Sequence, residues 1–321
     1  MTDFPKPTLV ISRCIEFDHC RWNGLMIASD VVKLLRPYVE FLPVCPEVEI
    51  GLGVPRAPVR LIEQDGELHL YQPATGRFWT AEMREFAGRF LDSLPKVEGF
   101  VLKSRSPSCG IKDVKVYPGT QGDRPHKLGE GFFAAEVARR FAHVPREDEG
   151  RLTNFRLREH FLTQIYLLRE WREVVMEGTM GALVRFHTRH KLLLMAYSEN
   201  TMRRLGRLVA QNPPQANIQK IYDAYRALLT RALARPPRFT AAINVLQHAM
   251  GYFQLSSAEK AFFLDILGEY RAGRVPLSVP TSIVRSWIVR FGESYLAGQS
   301  FFLPYPEELV QITDSGKGRD V

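Results

Sequence analysis

The sequence predicts an α/β N-terminal domain with a mostly parallel sheet and cysteines at strand C-terminal ends, followed by an all-α helical bundle. Three observations carry this. Apolar strands and helical stretches alternate over the first 150 residues; three of those strands are each followed by a cysteine; and beyond residue 150 only helical spacing remains. In an open parallel sheet the carboxyl ends of the strands share one edge and face the crevice where ligands bind, so Cys14, Cys45 and Cys109 can meet although they are far apart in the chain.

Taken in order, strand 1 covers about 8–13 and runs into Cys14. The next loop, 15–24, contains Asp18, His19, Cys20, Arg21, Trp22 and Asn23. Ile27, Val31, Leu34 and Leu35 predict a helix over about 26–37, and a strand over 39–44 ends at Cys45-Pro46-Glu47. Residues 51–58 are a Gly/Pro stretch that lets backbone approach a ligand closely. Asp65-Gly66 between two apolar runs predicts a hairpin. A helix over 80–94 leads into the strand 99–102, which turns abruptly into Ser104-Arg105-Ser106-Pro107-Ser108-Cys109-Gly110. Residues 112–117 alternate as a strand, 118–131 read as a loop, 132–141 as a helix and 145–150 as a charged linker.

Apolar residues at three- and four-residue spacing then predict helices over 155–176, 181–197, 200–209, 218–234, 240–253, 258–270 and 281–297. Breaks between them carry their own signals: Asn212-Pro213-Pro214, Pro236-Pro237, and a capping box from Ser256 to Glu259. The last residues, 314–321, read as a frayed tail. The expected domains are thus 1–147 and 148–321.

With 321 residues and 45% hydrophobic composition the chain is long enough for two cores, and disorder over any large part is excluded. It shows no signal segment and no apolar run long enough to span a bilayer, so a cytoplasmic location and no membrane partner are expected. Four cysteines in that compartment are reduced rather than bridged. Net charge is +8, unevenly spread. Residues 1–150 hold 20 Lys and Arg against 21 Asp and Glu, a balance of −1, whereas 151–321 hold 23 against 14, a balance of +9. A basic second half points to an anionic partner, with nucleic acid first, or to an Arg-rich solvated surface.

Three converging cysteines admit an iron–sulfur cluster with one open iron, a zinc site, a nucleophilic thiol, or inert burial. A tight Cys-x-x-Cys pair, usual in structural zinc sites, is missing. Spacing alone leaves these readings open.

The segments Cys14-Ile-Glu-Phe-Asp-His-Cys20-Arg-Trp-Asn-Gly24, Val44-Cys45-Pro46-Glu47-Val48 with Gly51-Leu-Gly-Val-Pro55-Arg56, and Leu102-Lys103 with Ser106-Pro107-Ser108-Cys109-Gly110 resemble the three motifs of the thiouracil desulfidase family. The first starts Cys-Ile-Glu-Phe where the family more often has Cys-Leu-Leu-Gly. Residues 184–198 and 205–210 resemble the helical domain of unknown function often fused behind it, and the fused arrangement is similar to that of a tRNA 4-thiouridine desulfidase. The resemblance implies a [4Fe-4S] cluster bound by Cys14, Cys45 and Cys109, whose open iron takes the sulfur of a thiolated uracil without redox change. Cys20 is an additional thiol, read as a free cysteine beside the site or, alternatively, as a substitute ligand. On this basis Glu47 and Ser106 are the catalytic candidates, and Lys103, Ser104, Ser108 and Arg56 the substrate-binding ones.

In the second half, His187 and His190 lie one helical turn apart, suited to interhelical hydrogen bonding rather than to metal. Arg185, Arg189, Lys191, Arg203, Arg204 and Arg207, interleaved with Phe186 and Tyr197, are the RNA-binding candidates. The reading reached is a desulfidase acting on 4-thiouridine in tRNA. Its alternatives are a desulfidase of free thiouracil or another small thioamide, and a noncatalytic metal-containing regulator that binds nucleic acid.

Overall fold

A computed structural model describes residues 4–211 and 218–310, in two compact units that divide between Tyr166 and Leu167. In the first unit β1 (Thr8–Ser12) lies between β2 (Glu40–Val44) and β6 (Gly99–Leu102), and β9 (Arg146–Asp148) closes the far edge. All three pairings are parallel. β1, apolar between Thr8 and Ser12, and β6 are buried along their whole length, as the central strands of a parallel sheet must be. Ser12 pairs with Val44, and Ile11 with Val101, so β1, β2 and β6 end at the same level.

A second, mixed sheet has the order β5-β4-β3-β7-β8, formed by β3 (Arg60–Gln64), β4 (Glu67–Gln72), β5 (Arg77–Phe78), β7 (Val114–Pro118) and β8 (Lys127–Gly129). The hairpin expected at Asp65-Gly66 is the β3–β4 turn; both residues have positive φ, +52° and +79°, as a tight two-residue turn requires. Helices α3 (Thr80–Ser93) and α4 (Phe132–Arg140) pack Met83, Phe133 and Val137 into the core shared with Phe100 and Val116.

Several elements differ from the sequence reading. The first helix, α1, is Asp30–Leu35, shorter than 26–37, because Ile27 is engaged elsewhere: its N–H donates to Cys14 O (2.8 Å) and its carbonyl accepts from Glu16 N (3.0 Å). Ser29 then caps the helix through Val32 N. Residues 46–49 form a one-turn helix, α2 (Pro46–Glu49), with proline at its start. Within 118–131, read as a loop, β8 pairs antiparallel with β7. The stretch 145–150, read as a linker, contains β9, and the first turns of α5 (Phe155–Glu177) also belong to this unit. There Phe161 and Ile165 approach Gly99 so closely that a Cβ would stand about 3.1 and 3.0 Å from them.

In the second unit the remainder of α5 packs with α6 (Met180–Val209), α7 (Ile218–Ala232), α8 (Phe239–Met250), α9 (Ser257–Arg271), α10 (Ser278–Phe291) and α11 (Ser294–Ala297) around Leu183, Leu194, Leu205, Tyr225, Leu246 and Phe263. α6 breaks at Ser198, whose extended backbone separates the two helices expected there and whose hydroxyl accepts from Thr201 N. The Ser256–Glu259 capping box is present in both directions. α10 stops at Gly292, which adopts a left-handed φ of +65°. The break signal at 212–214 and the tail 314–321 lie outside the described residues.

The loop that presents Cys109 is fastened to the start of α4. Phe132 N donates to Pro107 O (3.1 Å), Phe133 N to Ser108 O (2.9 Å) and Gly131 N to Gly110 O (2.8 Å). A Cβ on Gly131 would lie 2.5 Å from Ser108 O and 2.9 Å from Cys109 N. Gly131→Ala is therefore expected to lower the unfolding free energy by about 1–3 kcal/mol in urea titrations; an unchanged midpoint would contradict this packing.

His187 and His190 bridge helices, as their spacing suggests. His187 Nδ1 lies 3.0 Å from Tyr225 Oη, and His190 lies between Ser300 Oγ (2.7 Å) and Glu170 Oε2 (3.0 Å). Burial, then the charges of Lys191 and His190, hold His187 down to about 4. The unfolded chain takes up this proton near 6.5 and the folded one only near 4. Stability is therefore expected to fall by about 3 kcal/mol on acidification across that window, and His187→Gln to remove that share of the slope. Denaturation midpoints at pH 7, 5.5 and 4 measure it.

Candidate active site

Cys45 directly follows β2, Cys14 comes two residues after β1, and Cys109 arrives on the loop beyond β6. Neighbouring strands stand about 5 Å apart, so equal strand ends bring these residues to one edge. They line a single cavity of about 460 Å³, and Cys20 lines it too. All four cysteines are buried and unbridged. The thiols of Cys14 and Cys45 both interact with that of Cys20. Among the described residues no three His, Cys, Asp or Glu side chains are gathered as a ready site for one metal ion.

Crowding shows in the electrostatics. The Cys20 thiol is raised by its contact with Cys14 and by burial, Cys45 by its contact with Cys20 and by burial, and Cys109 by burial to about 12. Arg13 stands against this group. Burial opposes its charge, but the Cys20 side chain and the negative ends of Cys20, Cys45 and Glu49 favour it, and the balance raises its pKa. Its guanidinium also lies 3.3 Å from both Asp18 and Glu49.

Glu47 sits in the single turn of α2 immediately after Cys45. Arg56 grips one carboxylate oxygen from Nε (2.9 Å) and Nη2 (2.8 Å), while the other oxygen accepts from Ser108 Oγ (3.0 Å) and Ser106 Oγ (3.4 Å). The remaining Arg56 nitrogen, Nη1, donates to Cys20 O (3.0 Å) and Gly53 O (2.7 Å), and Arg56 N donates to Trp22 O (2.8 Å). One side chain therefore ties together the loops carrying Cys20, Glu47 and the Gly/Pro stretch.

The serines separate by partner. Ser106 Oγ accepts from the N–H groups of Ser108 (3.2 Å) and Cys109 (3.1 Å), closing the Cys109 turn, while its proton side faces Glu47. Ser108 is fully buried. Ser104 and Lys103 both engage Glu149: Lys103 Nζ and Ser104 Oγ reach Oε1 at 2.7 and 2.9 Å, and Ser104 N reaches Oε2 at 2.8 Å. Glu149 and Arg13 have no place in the sequence reading. Glu149 becomes visible as a neighbour of Lys103 only once β9 is known to pair with β6.

The six basic candidates all lie on α6, divided by the break at Ser198. Arg185 pairs with Glu177 (2.6 Å), Arg189 with Glu170 (3.0 Å) and Arg203 with Glu199 (2.7 Å). Lys191, Arg204 and Arg207 are exposed, with no ion pair among the described residues. Phe186 is buried against Trp171 and His190, so it cannot stack on a base.

Residues 9–149 match the family model described as 2-thiouracil desulfurase. The chain belongs, through these residues, to the 2-thiouracil desulfurase family. Its first unit is accordingly that of a desulfidase enzyme. Residues 191–306 match the model of a protein of unknown function, DUF1722. Among curated proteins, the uncharacterized protein YbgA of Escherichia coli is 30% identical over 158 residues, covering 48% of this chain and 93% of that protein. YbbK of Bacillus subtilis, also uncharacterized, is 27% identical over 150 residues, covering 44% and 96%. The solved structure of the [4Fe-4S]-dependent thiouracil desulfidase TudS is 30% identical and covers 46% of this chain and 93% of its own, with a TM-score of 0.35. No helix among the described residues is long and apolar enough to cross a membrane.

The nearly buried Arg56–Glu47 pair yields a direct test. Arg56→Ala is expected to cost about 3 kcal/mol of unfolding free energy, because it strands a carboxylate and two carbonyls, and Arg56→Lys to restore only part of it. A loss under about 1 kcal/mol in chemical denaturation would show the pair to be solvent-screened.

Proposed function

We propose that this protein removes sulfur from 4-thiouridine in tRNA, exchanging the thiocarbonyl sulfur for a water oxygen and releasing sulfide with no change of oxidation state. The observation that carries the reading is the single cavity in which buried cysteines from three parallel strand ends face a carboxylate held by Arg56.

Cys14, Cys45 and Cys109 would hold a [4Fe-4S] cluster, the cofactor on which TudS depends. The donor set fits: soft thiolates favour iron–sulfur clusters, and the cavity is far larger than one ion needs. When bound, the cluster supplies an open, Lewis-acidic iron for the thiocarbonyl sulfur.

The protein's own groups supply the rest. Glu47 takes a proton from the water that adds to the ring carbon and returns it as sulfide leaves. Arg56 occupies one of its oxygens, leaving the other toward the cavity beside Ser106 and Ser108. Ser106 orients that oxygen and fixes the Cys109 turn, and Ser108 donates to the same carboxylate oxygen. Lys103 and Ser104, braced by Glu149, also line the cavity and would exchange those bonds to donate to the uracil edge.

For tRNA, the target base must leave its stack and enter the cavity, at a cost of a few kcal/mol. The basic second unit supports this substrate: Lys191, Arg204 and Arg207 are exposed, and Arg185 and Arg203 are in surface ion pairs weak enough to exchange for phosphate. Free thiouracil as substrate is favoured by the family model's own description and by a cavity that suits one base. Either substrate fits a cytoplasmic enzyme whose thiols stay reduced.

Anaerobic reconstitution with iron and sulfide, followed by incubation with bulk tRNA and with free 4-thiouracil, distinguishes these substrates through loss of thio-base absorbance and release of sulfide. Turnover of tRNA that weakens with salt, is abolished by Cys109→Ala and falls about 100-fold or more in Glu47→Ala is the expected result. Activity on the free base alone would move the function to the small molecule. Cluster without sulfide release from either would overturn both.

A further inference from the structure

Cys20 is the thiol that the three-ligand arrangement leaves without a role. Its side chain is 1% exposed, and it lines the same cavity as Cys14, Cys45 and Cys109. It reaches that position on a loop held from several sides. The backbone bridge between Ile15 and Ile27 closes the loop at its base, Gly24 N donates to Arg21 O (2.9 Å) near its tip, and Arg56 pins both Cys20 O and Trp22 O. The Cys45 thiol also points at Cys20 O, 3.8 Å away.

We propose that Cys20 is a fourth, exchangeable ligand: it covers the cluster's open corner when no substrate is present, and the incoming thiocarbonyl sulfur displaces it. This rests on the desulfidase reading above. Cys20 lines one cavity with Cys14 and Cys45, and Cys45 Sγ lies 3.8 Å from Cys20 O, so a group held by these two cysteines lies within its reach. A permanent fourth thiolate would leave no corner for the substrate, whereas a cysteine side chain can turn away about its Cα–Cβ bond while its loop stays pinned. Loop attachment keeps it at high effective concentration, so it rebinds when sulfide departs. Electrons balance without an oxidant. The iron–sulfur bond to Cys20 breaks as that to the substrate sulfur forms, the freed thiolate takes a proton from solvent, and both changes reverse on product release.

The test compares wild type, Cys20→Ala and Cys20→Ser, each reconstituted anaerobically, with iron content and electron paramagnetic resonance as readouts. On titration with ferricyanide, Cys20→Ala is expected to lose one iron and show the three-iron signal about tenfold faster than wild type. Inorganic sulfide, followed through the spectrum of the reduced cluster, is expected to bind Cys20→Ala at about tenfold lower concentration. Cys20→Ser, which keeps the side-chain volume, should fall between them. Equal oxidation rates and equal sulfide midpoints in all three, with four irons per chain, would overturn the Cys20 assignment and leave the desulfidase reading intact. Failure of all three proteins to take up iron would overturn both.

Discussion

The parallel pairing of β1 with β2 and β6 is the constraint on which the rest of the first unit depends. Its register ends three strands at one level, and the loop beyond each strand is delivered to the same edge. No cysteine needs a special local conformation to meet the others. The loops instead need anchors, and the structure supplies one for each: Ile27 pairing back onto Cys14, the proline-started turn after Cys45, and the start of α4 against the Cys109 loop. Gly131 is required there because backbone packs on backbone with no room for a Cβ.

Within that frame the charged groups are arranged as braces as much as reagents. Arg56 makes four side-chain hydrogen bonds to three different segments, and Glu149 makes three to Lys103 and Ser104. The Arg56–Glu47 and Lys103–Glu149 pairs are thus each further hydrogen-bonded, the condition under which burial of charge is tolerable. The result is a stiff wall around a cavity whose thiol face is the most crowded part. Side chains braced this way keep one geometry without waiting for loops to close.

Much of this was legible in the sequence, for identifiable reasons. Apolar runs interrupted by Ser, Pro, Cys and Gly gave away the strand ends, Asp65-Gly66 the hairpin, and Ser256 with Glu259 the start of α9. Other features depend on partners that no local pattern reveals. The alternation over 112–117 announces a strand but not that β7 joins the second sheet, since period two is the same in either. Residues 26–28 carry helical spacing, yet pairing with the Cys14 loop claims Ile27 first. Phe186 interleaves with arginines along the chain, but on α6 it points into the core while they point out. Glu149 and Glu170 act on residues 46 and 20 positions away.

The second unit gives a basic helical surface whose charges are partly committed to neighbouring glutamates, and the first gives a thiol-lined cavity with one poised carboxylate. The cluster proposed for Cys14, Cys45 and Cys109 is the central claim about the first unit. The most direct measurement is diffraction from anaerobically grown crystals of the reconstituted protein at the iron absorption edge. The account requires an anomalous peak of cluster size inside the cavity, within bonding distance of these three thiols. A single-ion peak, or iron bound elsewhere on the chain, would contradict it.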